Sequence, residues 1–215
     1  MSKILTIDYE TSDSRVNFGQ VLQAGIVISD DKLNIQSRHE LRCRLKPTVI
    51  PSIGACLVHK IPVNILKNSN KSHYEMVLEH YNLIKDNTPS VVMGFNQVAF
   101  DIEFYRRMLY KSLIPDVYQT NTNGNRHLDI LNVSRAAKFA DNDSIQTILN
   151  EKNRDSFKLA DLSTANKINN GTSHDAITDC LNSIDLAKII FKKTNHIWND
   201  ALLLTTKKDT ENFIL

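Results

Sequence analysis

Ser90-Val91-Val92-Met93-Gly94-Phe95 is the stretch that most restricts how this chain can fold. It is short and apolar at successive positions, so a strand built from it must be covered on both faces. Just upstream, Ser72-His73-Tyr74-Glu75 has the Ser-x-x-Glu spacing of a capping box, and Tyr74, Val77, Leu78, Tyr81 and Ile84 continue at helical intervals. A helix feeding a strand buried on both sides predicts an α/β layer arrangement. Lys3 to Asp8, Gln20 to Ser29 and Leu33 to Lys46 read as three earlier strands, the last two joined by a tight turn at Asp30-Asp31-Lys32, so an antiparallel meander opens the domain. Further helices are expected from about Phe100-Asp101 to Lys111, over Leu128 to Phe139, from Lys158 to near Asn169-Asn170-Gly171, and from around Ser173 onward. On the last of these Ile177, Cys180 or Leu181, Ile184 and Ala187 mark the buried face. Gln119 to Arg126 and Asp141 to Ser156 read as loops.

With 215 residues, 41% hydrophobic and 23% charged, the chain has the material for one globular domain with a real core. Its apolar runs are too short to span a bilayer, and Met1-Ser2-Lys3 leads straight into a strand without a signal-peptide pattern, so a cytoplasmic protein with no membrane partner is expected. Cys43, Cys56 and Cys180 are widely spaced and form no Cys-x-x-Cys pair, which argues against a disulfide framework or a zinc site. Cys56 and His59 stand three apart with no second such pair nearby, which favours packing or a ligand-facing loop over a metal site. The formal net charge of +2 makes no global case for a polyanionic partner, so any such case must come from local features.

Ile7-Asp8-Tyr9-Glu10-Thr11 supplies the first of these. Strand side chains alternate faces, so Asp8 and Glu10 point the same way and repel each other. A divalent cation between them would reverse that repulsion; a solvent-facing strand end is the plainer reading. Asp101 sits at a strand-to-helix junction, where open α/β sheets place ligand groups and where an Asp also simply suits a first helical turn. His174 and Asp179 lie near the start of the final helix, about one and a half turns apart. Asp175 between them suits the helix N-terminus, whereas Asp179 lies beside the apolar face, where an unpaired carboxylate is costly.

Taken in order, Asp-x-Glu on the first strand, an Asp after a later strand and His-x₄-Asp on the final helix resemble the DEDDh family of 3′→5′ exonucleases. Asp8 and Glu10 match its first motif, Asp101 the second, and His174 with Asp179 the third. Within that DnaQ-like superfamily the chain is most similar to the nuclease domain of the bacterial exonuclease I family. The likeness runs through Asp8-Tyr9-Glu10-Thr11, Leu22-Gln23-Ala24-Gly25-Ile26, Gly94-Phe95-Asn96-Gln97-Val98-Ala99-Phe100-Asp101, Lys158-Leu159-Ala160-Asp161-Leu162-Ser163-Thr164-Ala165-Asn166 and Ser173-His174-Asp175-Ala176. The resemblance implies a ribonuclease H-like fold, a mixed central sheet with antiparallel first strands and flanking helices. It implies hydrolysis of single-stranded DNA from its 3′ end to nucleoside 5′-monophosphates. Asp8, Glu10, Asp101 and Asp179 would hold two Mg²⁺ or Mn²⁺ ions, and His174 would deprotonate the attacking water. Thr11 and Phe100 would contact the terminal nucleotide, although both also suit core or turn positions.

The five shared residues do not read sugar type, so an oligoribonuclease-like RNA exonuclease is the alternative enzyme, and a non-catalytic nucleic-acid-binding subunit is the alternative of another class. Two departures from the family stand out. Ala99 replaces the arginine that typically precedes Phe-Asp as a phosphate contact, and the sequence ends at Leu215 where exonuclease I continues into further domains. Residues 1–196 are therefore expected to form the exonuclease domain, and residues 197–215, with Trp198 and the Lys207-Lys208 pair, an extension resembling the start of an interdomain segment. Missing C-terminal domains, or a separate chain, would complete the DNA groove.

Overall fold

The computed structural model describes residues 3–171 and 174–215. A five-stranded sheet of order β3-β2-β1-β4-β5 forms its centre. Strands β1 (Lys3–Thr11), β2 (Val21–Ser29) and β3 (Ile35–Arg42) pair antiparallel, while β4 (Ser90–Gly94) runs parallel to β1 and β5 (Arg126–Asp129) parallel to β4. The α/β class and the antiparallel opening expected from the sequence are both present. β1 extends three residues beyond Asp8, and a register shift between Glu10 and Thr11 marks a bulge at its end. Such bulges re-aim side chains at sheet margins.

Two helical layers cover the sheet. Helices α1 (Ile53–His59), α2 (Val63–Asn68), α3 (His73–Asp86) and α4 (Asp101–Lys111) precede and follow β4. After β5 come α5 (Ile130–Ala140), α6 (Leu159–Ala165), α7 (Ala176–Lys193), α8 (Asn195–Leu203) and α9 (Lys207–Ile214). Period-two alternation sorts the strands between two cores. Leu5, Ile7, Tyr9, Ile26 and Val92 pack with α3 and α4, whereas Ile4, Val27, Val91 and Met93 pack with α5, α7 and α8. All of β4 is buried, as its composition requires. Among the described residues no helix is long and apolar enough to cross a membrane.

Several local expectations need correction. Leu128 and Asp129 belong to β5, not to a helix, and the Gln119–Arg126 loop holds a turn of 3₁₀ helix with Gln119, Thr120 and Asn125 buried. Asn125 makes that burial tolerable, accepting from Ser90 N at 2.8 Å and donating to Gln119 O at 2.8 Å. On α3 the capping box at Ser72 and Glu75 forms, but the inward face is His73, Met76, Val77, His80 and Ile84, with Tyr74 and Leu78 exposed. The buried face includes two histidines, which an apolar pattern does not register. α6 stops at Ala165, short of Gly171. The helix start expected at Ser173 lies outside the described residues, and α7 begins at Ala176. Trp198, on α8, is 1% exposed and packs in the core against α7 and α5.

Candidate active site

Three separate elements bring the acidic residues together. Asp8 and Glu10 leave β1 on the face covered by α7, since their odd-numbered neighbours Ile7 and Tyr9 face the other core. Asp101 opens α4 directly after the β4 loop. That loop is pinned by Asp129, whose carboxylate accepts from Asn96 N at 2.9 Å, Val98 N at 3.3 Å and, as cap of α5, Leu131 N at 3.1 Å. The sequence reading missed Asp129; an Asp just before a helical run is the signal that would have found it. Asp179 lies in the first turn of α7, and α7 can reach β1 because β2 carries Gly25. A Cβ at Gly25 would lie 2.5 Å from the Ala176 carbonyl.

His174 stands before α7 rather than on it. Asp175 is extended and caps the helix, accepting from Thr178 N at 3.2 Å and from Gln23 Nε2 at 2.8 Å. His174 adopts a left-handed φ of 66°, a strained conformation for a non-glycine residue, and its N–H donates to Asp179 Oδ2 at 3.0 Å. Its ring is exposed. Glu10, His174 and Asp179 each offer a ligand atom within 4.8 Å of the others.

Asp8, Glu10, Asp101, His174 and Asp179 line one open cavity of about 450 Å³, together with Thr11 and Phe100. Every residue singled out from the sequence for this site therefore meets at one place. The cavity also takes in Ser14, Ser52, Val58, His59 and Asn96, which the sequence did not single out as its members. His59 ends α1; its Nδ1 accepts Ile61 N–H at 2.9 Å, which puts the ring proton on Nε2, a buried donor with no partner among the described residues. The ligand-facing reading of the Cys56–His59 segment thus fits its position, with His59 rather than a Cys–His pair facing the cavity. Ala99 lies in the turn before α4.

Electrostatically the cavity is unsatisfied. Burial and then repulsion from Asp101, Asp179 and Glu10 push the Asp8 carboxyl far above its ordinary range. Burial does the same to Asp101, whose Oδ1 is buried without a partner. Glu10 is pushed up to about 8 by burial, then by Asp179 and Asp175, against a downward pull from Arg42. Asp179 is raised by burial, although the bond from His174 N opposes it. At neutral pH such a cluster is costly unless a cation occupies it. Oxygen donors with one imidazole suit a divalent metal ion, so the residues present fit a metal centre.

The mixed five-stranded sheet, with an acidic cavity where β1 and β4 end, has the ribonuclease H-like fold of DnaQ-type nuclease domains. Its likeness is to exonuclease I. The chain is 26% identical over 211 residues to exodeoxyribonuclease I of Buchnera aphidicola from Acyrthosiphon pisum, covering 98% of this chain and 51% of that protein. It superposes on Escherichia coli exonuclease I in complex with a dT13 oligonucleotide with a TM-score of 0.93 at 23% identity, covering 99% of this chain and 46% of that one. The zinc-bound E. coli exonuclease I complex with single-stranded DNA matches with a TM-score of 0.86 at 24% identity, over 93% of this chain and 42% of that one. No family model matches the chain. The chain thus spans about half the length of the relatives it resembles.

Proposed function

We propose that this chain is the nuclease domain of a metal-dependent 3′→5′ exonuclease, which hydrolyses single-stranded DNA from its 3′ end and releases nucleoside 5′-monophosphates. The observation that carries this reading is the convergence of four carboxylates, three buried and Asp8 half-buried, on one open cavity, with an Asp101 oxygen left unpartnered. A pure binding module has no use for carboxylates that repel phosphate. Asp8, Glu10, Asp101 and Asp179 would hold two Mg²⁺ or Mn²⁺ ions, which would supply charge neutralisation for phosphodiester hydrolysis. His174, exposed at the rim beside Glu10 and Asp179, takes the proton of the attacking water. Val58 and Phe100 form an apolar wall against which the terminal base packs, and Thr11 orients the same nucleotide. Further domains, or a separate chain, extend the strand-binding surface beyond this domain.

The test is digestion of matched 5′-labelled DNA and RNA single strands with Mg²⁺ and with EDTA. Stepwise shortening of DNA with release of mononucleotides, abolished by EDTA, is expected. Preference for RNA would move the assignment to an oligoribonuclease-like enzyme, and binding without cleavage would make the chain a non-catalytic subunit.

A further inference from the structure

A second cavity, of about 250 Å³, lies alongside the acidic one and has the opposite charge. Lys46, Arg107 and Lys111 line it with His73, Phe18 and Phe104, and none of its described lining residues is acidic. Neighbouring residues divide between the two cavities. Ser14 lines the acidic side while Asn17–Gln20, later in the same loop, line the basic side; Phe100 on one side packs tilted against Phe104 on the other, with ring centroids 4.8 Å apart.

The basic side is built and incomplete. Lys111 Nζ donates to the carbonyls of Asn17 at 3.0 Å and Gly19 at 3.4 Å, holding the loop that forms the rim. Among the described residues, neither Lys46 nor Arg107 has a carboxylate within ion-pair distance. His73 is 5% exposed and its Nδ1 has no hydrogen-bond partner. It is also the first residue of α3. Burial first, and then Lys46 and Lys111, hold His73 down to about 3, and burial first, then Lys46 and Arg107, lower Lys111. Phe18, 68% exposed at the mouth with the Arg15 guanidinium 5.3 Å from its ring centre, offers an aromatic face beside this charge.

We propose that this basic cavity is a phosphate site for a nucleotide, with Lys46 and Arg107 binding the phosphate oxygens and Phe18 stacking on the base. The choice of a nucleotide rests on the exonuclease reading above, because that reaction consumes strand phosphodiesters and releases 5′-monophosphates beside this wall; the affinity for phosphate does not depend on it. The occupant is the released mononucleotide or a phosphate of the bound strand, which share this chemistry.

Amide NMR titrations of the metal-free protein in EDTA separate these, because the acidic cavity repels phosphate when no cation is present. Thymidine 5′-monophosphate should shift the amides of Asn17–Val21 and His73, and Lys46→Glu and Arg107→Glu should weaken its binding by about tenfold or more. Both side chains are at least partly solvent-exposed, so the fold should survive, as unchanged spectra elsewhere would show. Shifts given by an oligothymidylate but not by the monophosphate would assign the site to the strand. No shifts with either, or binding unaffected by both charge reversals, would overturn the proposal. Since no cleavage is measured, a chain that binds here but hydrolyses nothing would refute the exonuclease reading and leave this site standing.

Discussion

Asp8, Tyr9 and Glu10 are consecutive on β1, and the alternation of the strand sends them into two buried polar environments of opposite character. Tyr9 enters a chain of side-chain hydrogen bonds between the sheet and α3 and α4. Its hydroxyl pairs with His80 Nε2 at 2.7 Å, His80 packs on Tyr105 with centroids 4.9 Å apart, Tyr105 bonds Gln119, and Gln119 Nε2 donates to Tyr81 O at 3.1 Å. Asp8 and Glu10, on the other face, meet more negative charge, opposed at Glu10 only by a weaker pull from Arg42. The first environment offsets the cost of burying polar groups by pairing them; the second leaves the cost in place. Unpaired buried charge held by a rigid sheet marks where a ligand belongs, whereas a linked polar interior marks packing.

The sharpest way to break this contrast is to remove a carboxylate. Asp8→Ala or Asp101→Ala should abolish turnover, as EDTA should for the wild type, while the metal-free variant melts at the same or a higher temperature because repulsion is relieved. A structural role would instead give a lower melting temperature with residual activity.

Two smaller effects concern the arm that closes the site. His174→Ala should slow cleavage by roughly 10²- to 10⁴-fold with strand binding little changed, the range of a positioned general base. Gly25→Ala should force Ala176 away from β2 and carry His174 and Asp179 with it, costing on the order of 10²-fold, since misplacement by about an ångström has that effect. Single-turnover rates at saturating enzyme measure both. An unimpaired His174→Ala enzyme would leave water activation to metal alone.

The two environments also respond to pH with opposite sign. Burial holds His80 and His127 down to about 4 from the ordinary 6.5, so the unfolded chain takes up protons that the folded protein refuses. Their contribution is complete above pH 6.5 and is lost as the pH falls toward 4. Glu10, raised from 4.5 to about 8, keeps a proton in the fold that the unfolded chain has released, so stability falls as pH rises between those values. In EDTA the free energy of unfolding should therefore decline above pH 6.5, where the contribution of His80 and His127 is complete, by roughly 1 kcal/mol per pH unit at the steepest. Mg²⁺ should flatten that limb and leave the acid limb unchanged. An alkaline limb insensitive to Mg²⁺ would detach it from the acidic cavity.

How far the sequence revealed these two environments follows from the same alternation. β4 and the α3 cap were legible because an unbroken apolar run and a Ser-x-x-Glu box are local signals. That Asp8 and Glu10 share a face was legible from their spacing on a strand, although the spacing alone favoured a solvent-facing strand end and the resemblance to DEDDh exonucleases singled them out. β5 was not, since only Leu128 of its four residues is buried and a helix begins immediately after it. The inward face of α3 was misjudged because His73 and His80 are buried for reasons that lie on β1 and in the basic cavity, far away in sequence. His174 was placed on a helix because spacing reports how far apart residues are, not that Asp175 is extended between them. The basic cavity left no trace in a net charge of +2, since Lys46, His73 and Arg107 come from three separate segments.

The smallest expected effect tests the paired interior alone. Tyr105 is fully buried, lines neither cavity and bonds Gln119, which in turn ties Tyr81 and, through its own carbonyl, Asn125. Tyr105→Phe keeps the ring against His80 and removes only the hydroxyl, so Gln119 Oε1 is left buried with its donor gone. The expected cost is about 1–3 kcal/mol in urea unfolding, with the slope on denaturant unchanged. Cleavage rate and metal dependence should match the wild type, because nothing on the Asp8 and Glu10 face of β1 depends on that hydroxyl. A loss of activity in this variant, with stability retained, would mean that Tyr9 couples the two faces through its backbone, and the separation drawn between them would fail.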